Sequence, residues 1–299
     1  GRAVAVQPDG KIVLTGESDQ GGKNAFTTLR YTANGALDTS FNFTGITTVK
    51  IGNINSFALA IALQPNDGKI VLAGYNNSVA SDFALARYNL NGTLDTTFNT
   101  TGLITTSLGS GVDEAHAVLI QPTGKIVAVG FSRQAATHND FAVVRYLNDG
   151  TLDPTFGTGG SVLSDLQSVG GGSDDQALAA ALQSDNMIVA AGTSDGGTAT
   201  GFDLAVARYQ SPSQPPMLTN FSKDGLENVT LAFTTTDFSA NYSSPDFNTL
   251  SKIQITSLPL SGTLKLGATP ITAGQEITPG LLGTLKYVPD PFFFGSDTF

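Results

Sequence analysis

The sequence predicts an all-β chain in two modules, and three observations carry that prediction. Its 299 residues include 34 Gly and 36 Thr but only 13% charged side chains, against about 25% in an average soluble domain. β-branched Thr favours a pleated surface and Gly interrupts helices, so this is the composition of strands punctuated by turns. With 40% hydrophobic residues the chain is also too apolar to be a disordered polyelectrolyte. The second observation is an internal repeat of about sixty residues, and the third is a proline-rich break after which the period vanishes.

Four copies of the repeat align on Val6-Gln7-Pro8-Asp9-Gly10-Lys11-Ile12-Val13, Leu63-Gln64-Pro65 through Gly68-Lys69-Ile70-Val71, Ile120-Gln121-Pro122-Thr123-Gly124-Lys125-Ile126-Val127, and Leu182-Gln183 through Ile188-Val189. The isoleucines lie 58, 56 and 62 residues apart. Each copy then reaches a glycine (Gly16, Gly74, Gly130, Gly192) and an apolar run closing in Arg30-Tyr31, Arg87-Tyr88, Arg145-Tyr146 or Arg208-Tyr209. Three copies continue with Leu37-Asp38 and Phe41, Leu94-Asp95 and Phe98, or Leu152-Asp153 and Phe156.

The run before Gln-Pro (Ala58 to Leu63, Ala115 to Ile120) reads as a first strand. Pro cannot donate to a ladder and Asp-Gly accepts turn dihedrals, so the chain reverses there. A short apolar second strand follows, its closing Gly suited to a tight exit or a close backbone approach. Asp82 to Tyr88 is a third strand, Asn34-Gly35, Asn91-Gly92 and Asp149-Gly150 supply the next turn, and Gly45 to Val49 or Gly102 to Thr106 is a fourth. Four antiparallel strands per repeat is the pattern of a β-propeller blade. The last copy departs from it, reading Gln183-Ser184-Asp185-Asn186 and stopping at Tyr209 without Leu-Asp-x-x-Phe. Residues 1–210 are therefore expected to hold three complete blades and three strands of a fourth, in a propeller of about four blades or as part of a larger ring, cut from a longer chain.

The series Gln-Pro-Asp-Gly-Lys-Ile-Val-x-x-Gly, Asp-Phe-Ala-Leu-Ala-Arg-Tyr and Asn-Gly-x-Leu-Asp-x-x-Phe resembles the bacterial delta-60 repeats over roughly residues 1–210. The resemblance implies β-propeller blades in a large secreted or surface protein, and implies no particular activity.

Residues 211–216 carry three prolines, Pro212, Pro215 and Pro216, and read as a stiff linker and domain boundary. Beyond it, short strands at Val229 to Phe233, Leu250 to Ser257, Gly262 to Leu266 and Gly283 to Val288, separated by Gly and Pro turns, suggest an immunoglobulin-like β-sandwich. Ile255-Thr256-Ser257-Leu258-Pro259 with Gly262-Thr263-Leu264, Thr272-Ala273-Gly274-Gln275-Glu276-Ile277, and Phe294-Gly295-Ser296-Asp297-Thr298-Phe299 resemble the cadherin-like, immunoglobulin-like repeats of giant bacterial adhesins over 217–299. That resemblance implies acidic residues near a domain junction, here Glu227, Asp237 and Asp246 with Asn248, converging on Ca²⁺. It also implies a sandwich completed by a further strand.

Composition removes several function classes. Fifteen Lys and Arg against 25 Asp and Glu give a net charge of −10, so no basic patch can neutralise a run of phosphates or hold an anionic membrane. There is no cysteine, which removes disulfides, thiolate metal sites and Cys nucleophiles. No apolar run approaches the ~20 residues that span a bilayer. His116, inside an apolar strand, and His138, in a polar loop beside Asn139 and Asp140, are the only histidines, and neither accompanies a Gly-x-Ser-x-Gly elbow or a phosphate-cradling loop. The absence of Trp removes the usual reading head of sugar-binding propellers.

The recurrent Arg-Tyr could bind a repeating ligand, but the Arg is expected to pair with the Asp of Leu-Asp inside its blade or to cover the sheet with its stem, and Asp38, Asp95 and Asp153 to cap turns as Asx acceptors. The acidic pairs Asp113-Glu114 and Asp174-Asp175 offer hard oxygen ligands, but Ser56-Phe57 stands at that place in the second copy, which argues against a calcium site in every blade. The expected protein is a non-enzymatic structural or adhesive segment of a large extracellular bacterial surface protein. It requires no cofactor, with Ca²⁺ as the one candidate. Its partners are neighbouring domains of the same long chain, a second copy, or a cell-surface glycan or protein. A ligand-binding propeller is the alternative, reading its target through the variable loops Glu17 to Asn24, Asn76 to Ser81, Arg133 to Asn139 and Ser194 to Gly201. A propeller hydrolase with catalytic blades upstream is a remote third.

Overall fold

The structure is a computed structural model that describes residues 1–52, 54–77, 80–135, 138–166, 173–195, 201–210, 217–243 and 250–299. The chain divides into two compact units, Gly1–Pro212 and Ser213–Phe299.

In the first unit every described regular element is a strand. β1 (Ala3–Val6), β2 (Ile12–Asp19), β3 (Asn24–Tyr31) and β4 (Ile46–Val49) form one sheet, and β5 (Asn55–Leu63), β6 (Ile70–Asn77), β7 (Asp82–Tyr88) and β8 (Leu103–Thr106) the next. β9 (Asp113–Ile120), β10 (Ile126–Gln134), β11 (His138–Tyr146) and β12 (Ser161–Ser164) form a third, while β13 (Asp174–Leu182), β14 (Ile188–Asp195) and β15 (Phe202–Tyr209) make a three-stranded fourth. Within each sheet the strands follow chain order and pair antiparallel. The first strands of successive sheets touch in sequence, β1 with β5, β5 with β9 and β9 with β13. These are blades of a β-propeller, stacked by their inner strands.

Sheets stacked face to face must be apolar on both sides, and the period of two divides each strand between its neighbours. In β7, Phe83 and Leu85 enter the core shared with the third blade, while Ala84, Ala86 and Tyr88 enter the one shared with the first. All five are fully buried. The third core repeats the pattern with Phe141 and Val143 of β11 against Ala177, Ile188 and Ala190 of the fourth blade.

The recurrent glycine has a local cause. The first strands β5, β9 and β13 each slip register against their partners, between Ala58 and Ala60, opposite Val129/Gly130, and between Ala177 and Ala179. The bulge turns a carbonyl onto the facing residue. A Cβ on Gly74, Gly130 or Gly192 would lie 1.8, 1.8 or 1.9 Å from the carbonyl oxygen of Phe57, Glu114 or Gln176. Only a residue without a side chain fits there.

The second unit is also mainly β, with shorter pieces: β16 (Met217–Leu218), β17 (Leu231–Ala232), α1 (Thr235–Ser239), β18 (Tyr242–Ser243), β19 (Ile253–Gln254), β20 (Gly262–Leu266), β21 (Thr269–Pro270), β22 (Glu276–Ile277), α2 (Pro279–Leu282) and β23 (Leu285–Pro289). One four-stranded sheet runs β17-β23-β20-β21, and β16 pairs with β18 and β19 with β22. Phe233, Phe238, Ile255, Leu264, Ile277 and Leu285 are among the side chains of its own core. β20 coincides with the predicted strand, whereas Leu250 to Ser257 contributes only Ile253–Gln254. The two short helices follow from capping chemistry. Thr234 and Asp237 form a reciprocal capping box for α1, and Pro279 sits in the first turn of α2.

Candidate functional site: the clasp between blades

The polar residues that recur in every complete copy converge on one structure. The third strand of each blade ends in an arginine whose guanidinium is buried, Arg30, Arg87 and Arg145 being 4%, 2% and 0% exposed. Nε donates to Oδ2 of Asp38, Asp95 or Asp153 at 2.8, 2.7 and 2.8 Å. The guanidinium lies 4.6, 4.4 and 4.5 Å from the ring centres of Phe41, Phe98 and Phe156, a cation–π stack away from water. The second carboxylate oxygen accepts from the hydroxyl of Ser40, Thr97 or Thr155 at 2.6, 2.7 and 2.7 Å. It also accepts from the backbone N–H of the same residue, closing an Asx turn. Both expectations for these residues, pairing within the blade and turn capping, hold.

Two features were not anticipated. The Lys of the Gln-Pro turn joins the same carboxylate, Lys11 at 3.3 Å from Asp38, Lys69 at 3.0 Å from Asp95 and Lys125 at 3.0 Å from Asp153. The arginine also reaches out of its own blade: Nη1 of Arg30 donates to the Leu90 carbonyl and Nη1 of Arg87 to the Asn148 carbonyl. Those carbonyls open the Asn-Gly or Asp-Gly turn of the next blade. The same turns accept the N–H of Asn42 at Asn91 O, 2.6 Å, and of Asn99 at Asp149 O, 2.7 Å. Gly92 and Gly150, at φ +84° and +90°, lie so close to Phe41 and Phe98 that a Cβ would come within 2.8 Å of the ring. The first and second blades thus hold out an Arg–Asp–Phe hook, and the turn of the next blade is the eye.

The electrostatics match this structural role. Asp38 is held down at about 2, first by the Ser40 hydroxyl, against the cost of burial. For Asp95 and Asp153 burial is the largest influence and pushes upward. The hydroxyls of Thr97 and Thr155, with Lys69, Lys125 and the arginines, outweigh it and bring both to about 2. A carboxylate this acidic, enclosed by donors, is a poor base and a good anchor.

The fourth copy shows what happens without the partners. Arg208 is 52% exposed along its side chain and bonds Asp185 and Gln183, each at 2.7 Å. Met187 stands where the other copies have Lys. The loss of that lysine in the one copy that also lacks Leu-Asp-x-x-Phe was the sequence signal that the two belong together.

The other candidates lie elsewhere. Asp113, Asp175 and Ser56 occupy one position of successive blades, all fully buried. Asp113 accepts from Ser132 at 2.5 Å and from Leu108 N–H at 2.7 Å, and burial leads in pushing its pKa up. Asp175 accepts from Leu166 N–H at 2.7 Å and Ser173 at 2.9 Å, so each acid holds a backbone N–H a few residues upstream of its strand. His116 pairs with Glu114 at 3.3 Å and stacks on Phe131. His138 is exposed at φ +68°. In the second unit Glu227 is exposed, and Asp237 accepts from Lys223 at 2.6 Å and from Thr234 N–H at 2.7 Å. Asp246 and Asn248 lie outside the described residues. Among the described residues no three His, Cys, Asp or Glu form a metal-holding group, and no helix is long and apolar enough to cross a membrane.

Three segments, residues 7–41, 66–98 and 121–156, match the model of a family described as a domain of unknown function (DUF5122) β-propeller. Each segment ends on the Phe of the hook. No curated protein matches the chain. Among solved structures, the Pseudomonas aeruginosa periplasmic gluconolactonase aligns over 96% of this chain and 88% of its own length, at 13% identity and a TM-score of 0.32. That likeness is too slight to transfer anything to this chain.

Proposed function

We propose that the chain is a non-catalytic structural segment, with an adhesive role, of a large bacterial protein displayed outside the cell. One observation carries this reading: the repeated Arg, Asp and Phe of each complete copy are buried in the clasp, with a partly exposed Lys on the same carboxylate, and in the first two blades the arginine bonds the turn of the next blade. A repeat whose most constant side chains face inward is selected for its architecture. The delta-60 and cadherin-like resemblances support the extracellular setting, and the acidic balance fits surroundings rich in Ca²⁺. The partners in this reading are the neighbouring domains of the same long chain. Calcium, if it enters, enters through Glu227, Asp237, Asp246 and Asn248 of the second unit, and must then compete with Lys223 for Asp237.

A second reading, recognition of a glycan or protein, is favoured by one feature. The second unit has a groove of about 780 Å³ whose lining includes Phe221, Phe233, Phe293 and Phe294 along with Lys223 and Asp297, within the size range of ligand sites. The 299-residue chain, labelled and applied to glycan and surface-protein arrays, separates the two. Absence of binding across the arrays supports the scaffold, and saturable binding to a defined target replaces it with the recognition reading.

A further inference from the structure

The repeat fixes its architecture with constant residues and leaves one small set of neighbouring positions free. In the second, third and fourth blades the bulge leaves one first-strand residue without a facing residue: Leu59 between Ala58 and Ala60, His116 between Ala115 and Ala117, and Leu178 between Ala177 and Ala179. Arg2 has the matching place in the first blade, since the next residue, Ala3, faces Thr15 as Ala60 faces Ala73. A bulge re-aims such a side chain and asks little of its identity. Beside it stand the residue after the constant glycine (Glu17, Tyr75, Phe131, Thr193) and, in the later blades, the one facing it across the pair (Phe57, Glu114, Gln176). All lie on the half of the blade away from the clasp. The pairing around them recurs from blade to blade, so folding does not dictate what fills these places.

In three successive blades they are filled by an ion pair, an aromatic pair and an acid with an imidazole. Arg2 donates to Glu17 through Nε at 3.2 Å and Nη2 at 3.0 Å. Phe57 and Tyr75 stack at 4.9 Å and 27°. His116 Nε2 lies 3.3 Å from Glu114 Oε2, and its ring stacks on Phe131 at 5.6 Å. The three sets meet at Tyr75. Burial leads in pushing its hydroxyl up, Glu114 of the third blade adds to the push, and Arg2 of the first opposes it. Phe57, Tyr75, Glu114 and His116 are all partly exposed. We infer that this cluster is a binding site for a neutral oligosaccharide. The stacked Phe57–Tyr75 pair offers an apolar platform for the C–H face of a sugar ring. Around it Arg2, Glu17, Glu114 and His116 mix donors with acceptors, where a charged ligand calls for one sign. A sugar hydroxyl both donates and accepts, so it suits that mixture. The inference gives the adhesive role proposed above a ligand, and rests on that role.

The test is isothermal titration of the 299-residue protein with cellohexaose, maltohexaose and laminarihexaose, and with oligogalacturonate as the acidic counterpart. Tyr75→Ala removes the platform, Glu114→Gln keeps the side-chain shape and loses the charge, and Phe294→Ala alters the groove of the second unit. Calorimetric melting checks the fold of each, and Glu114→Gln decides the matter if Tyr75→Ala melts early. The wild type is expected to bind at least one neutral hexasaccharide saturably and to ignore the oligogalacturonate. Tyr75→Ala is expected to abolish that binding, Glu114→Gln to weaken it about tenfold through one lost charge-assisted hydrogen bond, and Phe294→Ala to leave it unchanged. Binding lost only in Phe294→Ala assigns the sugar to the second unit, so the adhesive role stands and this inference falls. Binding of oligogalacturonate alone, or binding that survives both Tyr75→Ala and Glu114→Gln, also overturns it. So does the absence of binding to all three neutral sugars, whatever the arrays show for the adhesive role.

Discussion

Replacing Arg87 by Met removes the centre of one clasp and leaves its apolar stem volume largely filled. In the wild type the guanidinium holds Asp95 at 2.7 Å, stacks on Phe98 at 4.4 Å and bonds the Asn148 carbonyl of the next blade. Breaking a buried ion pair by deleting one partner costs about 3–5 kcal/mol, most of it the charge left behind. Lys69 remains 3.0 Å from the same carboxylate, which brings the expectation to the lower end of that range. The lost bond to the neighbouring blade adds about 1 kcal/mol. The expected cost is about 3–4 kcal/mol, a fall of roughly 10 °C in the melting of a unit this size. Arg208→Met is the matched control: the same repeat position, but half exposed and bonded to exposed Asp185 and Gln183, expected within about 0.5 kcal/mol of wild type. Calorimetry of the whole chain, following the transition of the first unit, reads both. If Arg87→Met and Arg208→Met lower that transition equally, burial of the clasp is not what makes the arginine matter and the reasoning fails.

Three further outcomes follow from the same geometry. Asp38, Asp95 and Asp153 are held near 2 in the folded protein, below the ordinary aspartate value of 3.8. Their contribution of about 2 kcal/mol each is therefore complete above about pH 4 and lost as pH falls through 2; urea melts at pH 6, 4 and 2.5 should show that loss, and a triple Asp→Asn variant should flatten it. Gly130→Ala places a methyl 1.8 Å from the Glu114 carbonyl and should cost more than about 2 kcal/mol by thermal melting, whereas Gly280→Ala, with nothing within 4 Å, should be neutral. If the second unit binds calcium, millimolar Ca²⁺ raises its calorimetric transition relative to EDTA and Asp237→Ala abolishes the difference; identical traces remove calcium from the proposal.

The blades were legible in the sequence because each of their signals is local. Gln-Pro-Asp-Gly bends the chain within four residues, the alternation in Asp82 to Tyr88 sets one strand, and Arg87 and Asp95 lie close enough in the chain to be paired by inspection. The glycine at 74 could be read as a place of close backbone approach, although the bulge that causes it could not. The clasp's outward half was hidden because Arg30 and the Leu90 carbonyl are sixty residues apart. A backbone acceptor leaves no mark on residue identity, so no pattern announces it. Lys69 was overlooked for a different reason: a lysine in a turn is usually explained by solvent, and only its replacement by Met187 in the copy without the aspartate separates the two cases. In the second unit, Leu250 to Ser257 reads as one long strand, yet only Ile253–Gln254 pair. Apolar content there is satisfied by packing Ile253 and Ile255 into a small core without extending the ladder.

The clasp spans two copies, and this bears on how such a protein can lengthen. Every complete copy encodes both the donor apparatus at its far end and the receiving turn that its predecessor needs. Duplicating one whole copy therefore supplies both halves of a new junction at once, with no compensating change in older copies. A duplication of half a copy does not, because it separates an arginine from the carbonyl it was positioned to meet and strands an enclosed carboxylate. Copy number is then free to drift while phase is not, and the length of the array can answer to selection in steps of a single blade.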